Sequence, residues 1–141
     1  MRARVKWIEG AAFVGEADSG HGLIIDGAAD IGGRNLGIRP MEMVLTGLCG
    51  CTAMDVISIL RKQRQAVTDC VISAEAERAD SPPKVFTRIH LTYRVTGHNL
   101  RREGVERAVA LSAEKYCSVS QMLLATVAIT HSIEVEEAAV G

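Results

Sequence analysis

The residues in this chain with nucleophilic and redox potential are four cysteines, Cys49, Cys51, Cys70 and Cys117. Cys49 and Cys51 share one apolar segment. Two positions apart on a helix, they point about 200° away from each other and cannot act as a pair. A plain core role suits Cys49, because free cysteine is among the most buried residue types. Gly50 between them weakens a helix and admits a close approach, which favours a site at Cys51. Cys117 lies in Lys115-Tyr116-Cys117-Ser118-Val119-Ser120-Gln121. Ser118 and Gln121 have capping-box spacing, which puts Cys117 just before a helix N-terminus with Lys115 close by. Amide donors and a cation favour thiolate over thiol. Cys117 therefore reads either as an activated thiol or as a half-buried cysteine at a helix junction. Cys70 alternates with Ile72 as a core strand residue does and is read as structural. Asp55 follows Cys51 by four residues and shares its helix face. Two readings stand for it: a group that orients something near the thiol, or a buried carboxylate paired with an arginine. Glu42 falls in a first helical turn, where an acid is favoured electrostatically in any case.

These residues need elements to hold them. Residues 2–8, 11–17 and 21–26 alternate as three short strands, an N-terminal meander. A glycine-rich loop runs from Gly27 to Pro40. Pro40 suits the first turn of a helix, which is predicted to continue to about Arg64. Its apolar residues face almost every direction until Asp55, so it must be enclosed on all sides. Residues 69–78 and 84–96 are two more strands, joined through Asp80-Ser81-Pro82-Pro83. Asn99 is placed to cap a helix from Leu100, with Val105, Ala108, Val109, Ser112 and Tyr116 on one face. A helix over 118–128 and a strand over 130–137 complete the chain. Strands and helices are partly segregated, so the expected class is α+β with a mainly antiparallel sheet in one domain, residues 1–141. A central helix without a polar face also suggests a dimer that covers its outer side.

Composition narrows the function. The 141 residues carry a formal net charge of −1, so no basic excess is available to grip phosphates. The aromatic residues Trp7, Phe13, Phe86, Tyr93 and Tyr116 are too few and too scattered for a stacking platform. The N-terminal alternation reads as a strand rather than an export signal. The charge-free run Met43–Met54 is too short to span a bilayer. A reducing, cytoplasmic setting with free thiols is expected, with neither nucleic acid nor membrane as partner. Cys-x-x-Cys and His-x-x-x-His pairs are absent and the four histidines are dispersed, so no metal site is expected.

Arg39-Pro40-Met41-Glu42-Met43, then Cys51 eleven residues after the proline, then Ser112-x-x-Lys115-Tyr116-Cys117-Ser118-Val119-Ser120 form an ordered set. Together they resemble the OsmC/Ohr family, the osmotically inducible and organic hydroperoxide resistance proteins, and most of all its YhfA-like branch. The resemblance extends over essentially the whole chain. It implies mainly antiparallel sheets wrapped around a long central helix, in an intertwined homodimer with two active sites at the interface. It also implies a thiol peroxidase that protects against oxidative stress. One thiolate attacks the peroxide, becomes a sulfenic acid and condenses with a second cysteine. By resemblance Cys51 attacks and Cys117 resolves, which reverses the acidity order of the local reading. The family order is followed, because groups from a partner subunit are invisible to local sequence. Glu42 and Arg39 are the implied carboxylate and cation. A small apolar hydroperoxide is the implied substrate and a cellular dithiol the reductant, with no metal or organic cofactor.

Two features depart from the family pattern. Met41 holds the place of the catalytic glutamate directly after the proline, and Glu42 stands about 100° further around the helix. The first hairpin, around Glu9-Gly10-Ala11-Ala12, has no activating arginine, and Arg34 and Arg39 are the nearest substitutes. The alternative function is therefore a non-catalytic small-molecule-binding or redox-sensing module on the same fold.

Overall fold

Alternating apolar and polar residues near the N-terminus form a three-stranded antiparallel meander in the computed structural model, which describes residues 1–141. Its strands are β1 (Ala3–Glu9), β2 (Ala12–Ala17) and β3 (Gly22–Ile25). Gly10 turns the first hairpin at φ +52°, and its carbonyl accepts the Trp7 indole N–H at 2.9 Å. The loop after β3 hangs on Asp26. This buried carboxylate accepts the backbone N–H groups of Gly27, Arg34 and Leu36 at 2.8, 3.0 and 3.1 Å. A single turn of 3₁₀ helix, Ala29–Ile31, interrupts the loop.

The helix α1 runs from Pro40 to Lys62, with Pro40 at its first position as the sequence predicts. The chain forms two compact units, residues 1–46 and 47–141, and α1 begins in the first and continues in the second. There follow β4 (Ala66–Arg78), β5 (Phe86–His98), α2 (Arg102–Leu111), a π-helical turn (Ser112–Tyr116), α3 (Ser118–Leu123) and β6 (Ala128–Glu137). β4 and β5 pair antiparallel, whereas β6 lies parallel to β5. A parallel neighbour requires a crossover, and α2 with α3 supply it. The α+β class stands, with two sheets and one long helix.

In the second unit the core is built on β5. Ile89, Leu91, Tyr93 and Val95 alternate inward, joined by Leu48, Val56 and Leu60 of α1 and by Val105, Ala108 and Val109 of α2. Within one chain, α1 buries only the stripe Leu48, Thr52, Val56 and Leu60. Enclosure on all sides is thus not met by the single subunit, and Met54 is 76 % exposed. Side chains built on Gly47 or Gly50 would meet nothing within 4 Å, so the close approach predicted at Gly50 is not made within the chain. By length and composition α1 could cross a membrane. Its middle is nevertheless tied into the protein by the polar contacts of Thr52 and Asp55 described below.

Three local expectations are corrected. Asn99 does not cap α2. It takes φ +50°, and its N–H donates to Glu137 at 3.1 Å, while Arg101 holds the N-cap position without a side-chain bond. The helix after Cys117 stops at Leu123 instead of 128. Tyr116 leaves the face shared by Val105, Ala108, Val109 and Ser112, and is 51 % exposed. The wider π turn takes more residues per turn than an α-helix and so rotates Tyr116 out of the α-helical register.

Candidate active site

Two places far apart in the chain supply the functional side chains of the second unit. Cys51 and Asp55 stand one turn apart on α1. Cys117 sits where the π turn ends and α3 begins, with its N–H bonded to the Ser112 carbonyl at 2.9 Å. Sixty-six positions separate the two cysteines, yet their sulfurs and a carboxylate oxygen of Asp55 all lie within 4.8 Å of one another. Cys51 and Asp55 are half-buried, and Cys117 is fully buried.

Cys117 itself caps α3. Its sulfur accepts the Ser120 N–H at 3.4 Å, the bond a hydroxyl oxygen makes at this position. The N-cap is thus one residue earlier than the predicted Ser118. Gln121, the expected capping-box partner, donates to the Ala113 carbonyl at 3.0 Å. Burial pushes the Cys117 thiol up from its ordinary value, and the hydrogen bonds from Ser120 only partly oppose it. Of the two local readings of Cys117, the activated thiol is not met, since desolvation outweighs the donors of a six-residue helix. Lys115 does not reach over the thiol. Its ammonium lies 5.4 Å from the centre of the Tyr116 ring.

Behind the thiols runs a chain of hydroxyl groups that the sequence patterns did not single out. Ser112 Oγ donates to Asp55 Oδ2 at 2.9 Å, and Thr52 contacts both Ser112 and the Tyr93 phenol at 2.8 Å. An ionised carboxylate only accepts, and each hydroxyl has one proton to give. The direction is therefore fixed throughout: Tyr93 donates to Thr52, Thr52 to Ser112, and Ser112 to Asp55. Burial pushes the Tyr93 phenol up, which keeps its proton in place. The arginine pairing read for Asp55 is not met, because its partner is Ser112. A signal for the chain was present: Thr52 and Ser112 are the polar members of otherwise apolar helix stripes.

The other cysteines stand apart from this cluster. Cys49 is half-buried, and burial pushes its thiol up. Cys70 lies on the half-buried face of β4 opposite Val95, with its thiol raised by burial and by the Asp69 charge. Arg39 and Glu42 belong to the first unit and are engaged there. The Glu42 carboxylate accepts the Arg39 N–H at 2.9 Å, while the Arg39 guanidinium bonds Asn35 Oδ1 and the Gly37 carbonyl at 3.0 Å each. Arg34 pairs with Glu9, at the end of the first hairpin's leading strand.

Two sheets, one long helix and a convergent dithiol define an OsmC-like protein. A family model described as OsmC-like protein matches residues 32–132, and the chain belongs to this family. It is 51 % identical to protein YhfA of Escherichia coli K12 over 135 residues, which cover 96 % of this chain and 98 % of the relative. A crystal structure of a hypothetical protein from Aquifex aeolicus superposes with a TM-score of 0.86 at 29 % identity, covering 98 % and 97 % of the two chains. The organic hydroperoxide resistance protein OsmC of Legionella pneumophila shares the fold, with a TM-score of 0.69 at 19 % identity over 94 % and 95 %.

Proposed function

We propose that this protein is a cysteine-based thiol peroxidase that reduces organic hydroperoxides. The observation that carries the reading is the convergence of Cys51, Cys117 and Asp55 within 4.8 Å. The Cys51 thiolate attacks the terminal oxygen of ROOH. The O–O bond breaks, the alcohol leaves as RO⁻ and takes a proton, and Cys51 becomes a sulfenic acid. Cys117 then attacks that sulfur, forming the disulfide and releasing water. A cellular dithiol returns both thiols. The half-buried Cys51 suits attack on an arriving substrate, and the buried Cys117 suits resolution. Asp55 borders an open cavity of about 410 Å³ lined also by Ser58, Ile59, Lys62, Leu111 and Tyr116, room enough for a small organic peroxide beside the cluster. Arg39 and Glu42 stay in the proposal as the cation and carboxylate of the family pattern. The proposal includes a homodimer in the cytoplasm, and a relative aligned over 96 % of this chain supports treating residues 1–141 as one functional domain.

Peptide mapping after one equivalent of tert-butyl hydroperoxide tests this. The expected product is a Cys51–Cys117 disulfide, with sulfinic acid at Cys51 in Cys117→Ser. Oxidation first at Cys49 or Cys70, or no crosslink at all, would overturn it. The second outcome would favour the binding or redox-sensing module, which Met41 in place of the family glutamate supports.

A further inference from the structure

We propose that Cys51, Asp55 and Cys117 also form a binding site for a thiophilic divalent cation of the zinc class. The two thiolates and the carboxylate are donors of the types such cations take. Zinc bonds of about 2.3 Å to sulfur and about 2.0–2.2 Å to oxygen put tetrahedral ligand atoms about 3.5–3.8 Å apart. The three atoms already lie within 4.8 Å of one another, so an ion draws each pair in by about an ångström at most. Cys51 and Asp55, at i and i+4 on α1, form one rigid edge of the site, and Cys117 supplies the third ligand from another element.

The groups behind these ligands have the character of an outer shell. Hydrogen bonds to ligand atoms fix their orientation and tune their basicity. Ser112 Oγ holds one oxygen of the Asp55 carboxylate at 2.9 Å and leaves the other available. The Ser120 N–H holds the Cys117 sulfur at 3.4 Å. Thr52 and Tyr93 fix Ser112 in turn. Two of the three ligands are thus held from outside the cluster. Asp55 borders the open cavity, so water can reach a fourth position from that side. The three ligands come from sites far apart in sequence, so a search for closely spaced metal motifs does not find them. An occupied site would mask both thiols from peroxide, but the inference does not depend on peroxidase activity.

Titration of the reduced, metal-stripped protein with Co²⁺ tests it. The expected result is one ion per chain, with thiolate-to-cobalt charge-transfer absorption that Zn²⁺ abolishes. Binding should be lost in Cys117→Ser and should weaken at least about tenfold in Asp55→Asn, while Cys49→Ser and Cys70→Ser leave it unchanged. In the wild-type protein, bound Zn²⁺ should protect Cys51 and Cys117 from alkylation but not Cys70, a readout that needs no variant to fold. No charge-transfer band, a band that survives Cys117→Ser in folded protein, or protection of Cys70 instead would overturn the site.

Discussion

Thr52 shows how much one hydroxyl can organise. It accepts the Tyr93 O–H and donates its own to Ser112, so the orientation of Asp55 beside the thiols depends on it. Thr52→Val keeps the shape and removes the link, leaving the Tyr93 donor and the Ser112 acceptor unpaired. Leaving a buried polar group unsatisfied costs about 1–3 kcal/mol, and urea denaturation should find Thr52→Val less stable by that order, with Thr52→Ser close to wild type. Cys117 gives a second expectation at this scale. A thiol pushed up by burial has less thiolate near neutrality than a free cysteine. Its alkylation in the folded protein should accelerate only at pH above the ordinary thiol range, and unfolding in urea should restore ordinary rates. Mass spectrometry of iodoacetamide-labelled peptides over a pH series measures this. An acidic thiol would already react fast near neutrality and would contradict the burial argument.

Two elements carry distinct loads. The loop between β3 and α1 is organised by Asp26, whose carboxyl is held below its usual range, chiefly by the Leu36 and Arg34 amides. The unfolded chain lacks those donors, so the native state binds the proton less readily than the unfolded state. The stability that Asp26 contributes is fully present above its ordinary value of 3.8 and is lost as pH falls through the lowered native value. Asp26→Asn should therefore unfold at lower urea than wild type at pH 7, and the two midpoints should converge in strong acid. In α1 the buried stripe does the packing. Leu60→Ala should cost about 2–5 kcal/mol in urea unfolding, whereas Met54→Ala, at an exposed position, should cost the subunit little.

For the whole molecule, the apolar surface of one chain is the main argument. Along α1, Val44 and Met54 are exposed, and in the first unit Val5, Phe13, Ile25, Pro40, Met43 and Val44 line an open apolar cavity of about 590 Å³. Exposed apolar area of this kind marks an interaction surface, and the homodimer is the proposed occupant. Sedimentation at micromolar concentration should give about 30 kDa, twice the 15.1 kDa chain, and Met54→Glu should shift the protein toward the monomer. A stable wild-type monomer would remove the dimer from the proposed function.

Sequence alone determined the class of elements and most of their order, because alternation and helical periodicity are local properties. It drew attention to Cys51 and Asp55 within an apolar helix and to Cys117 before a helix start, while the pairing of the two cysteines came from the family resemblance. Three things were decided by tertiary structure. The β5–β6 pairing is parallel because a crossover through α2 and α3 returns the chain to that edge, and strand direction leaves no mark on side-chain alternation. The acidity that a helix end suggested for Cys117 is not met, because a helix end is a local feature, whereas the burial that outweighs it comes from the whole unit. The hydroxyl chain from Tyr93 to Asp55 joins positions up to 60 residues apart, as at Thr52 and Ser112. Hydrogen bonds of that span form only once the core has closed, because packing rather than sequence spacing brings donor and acceptor together.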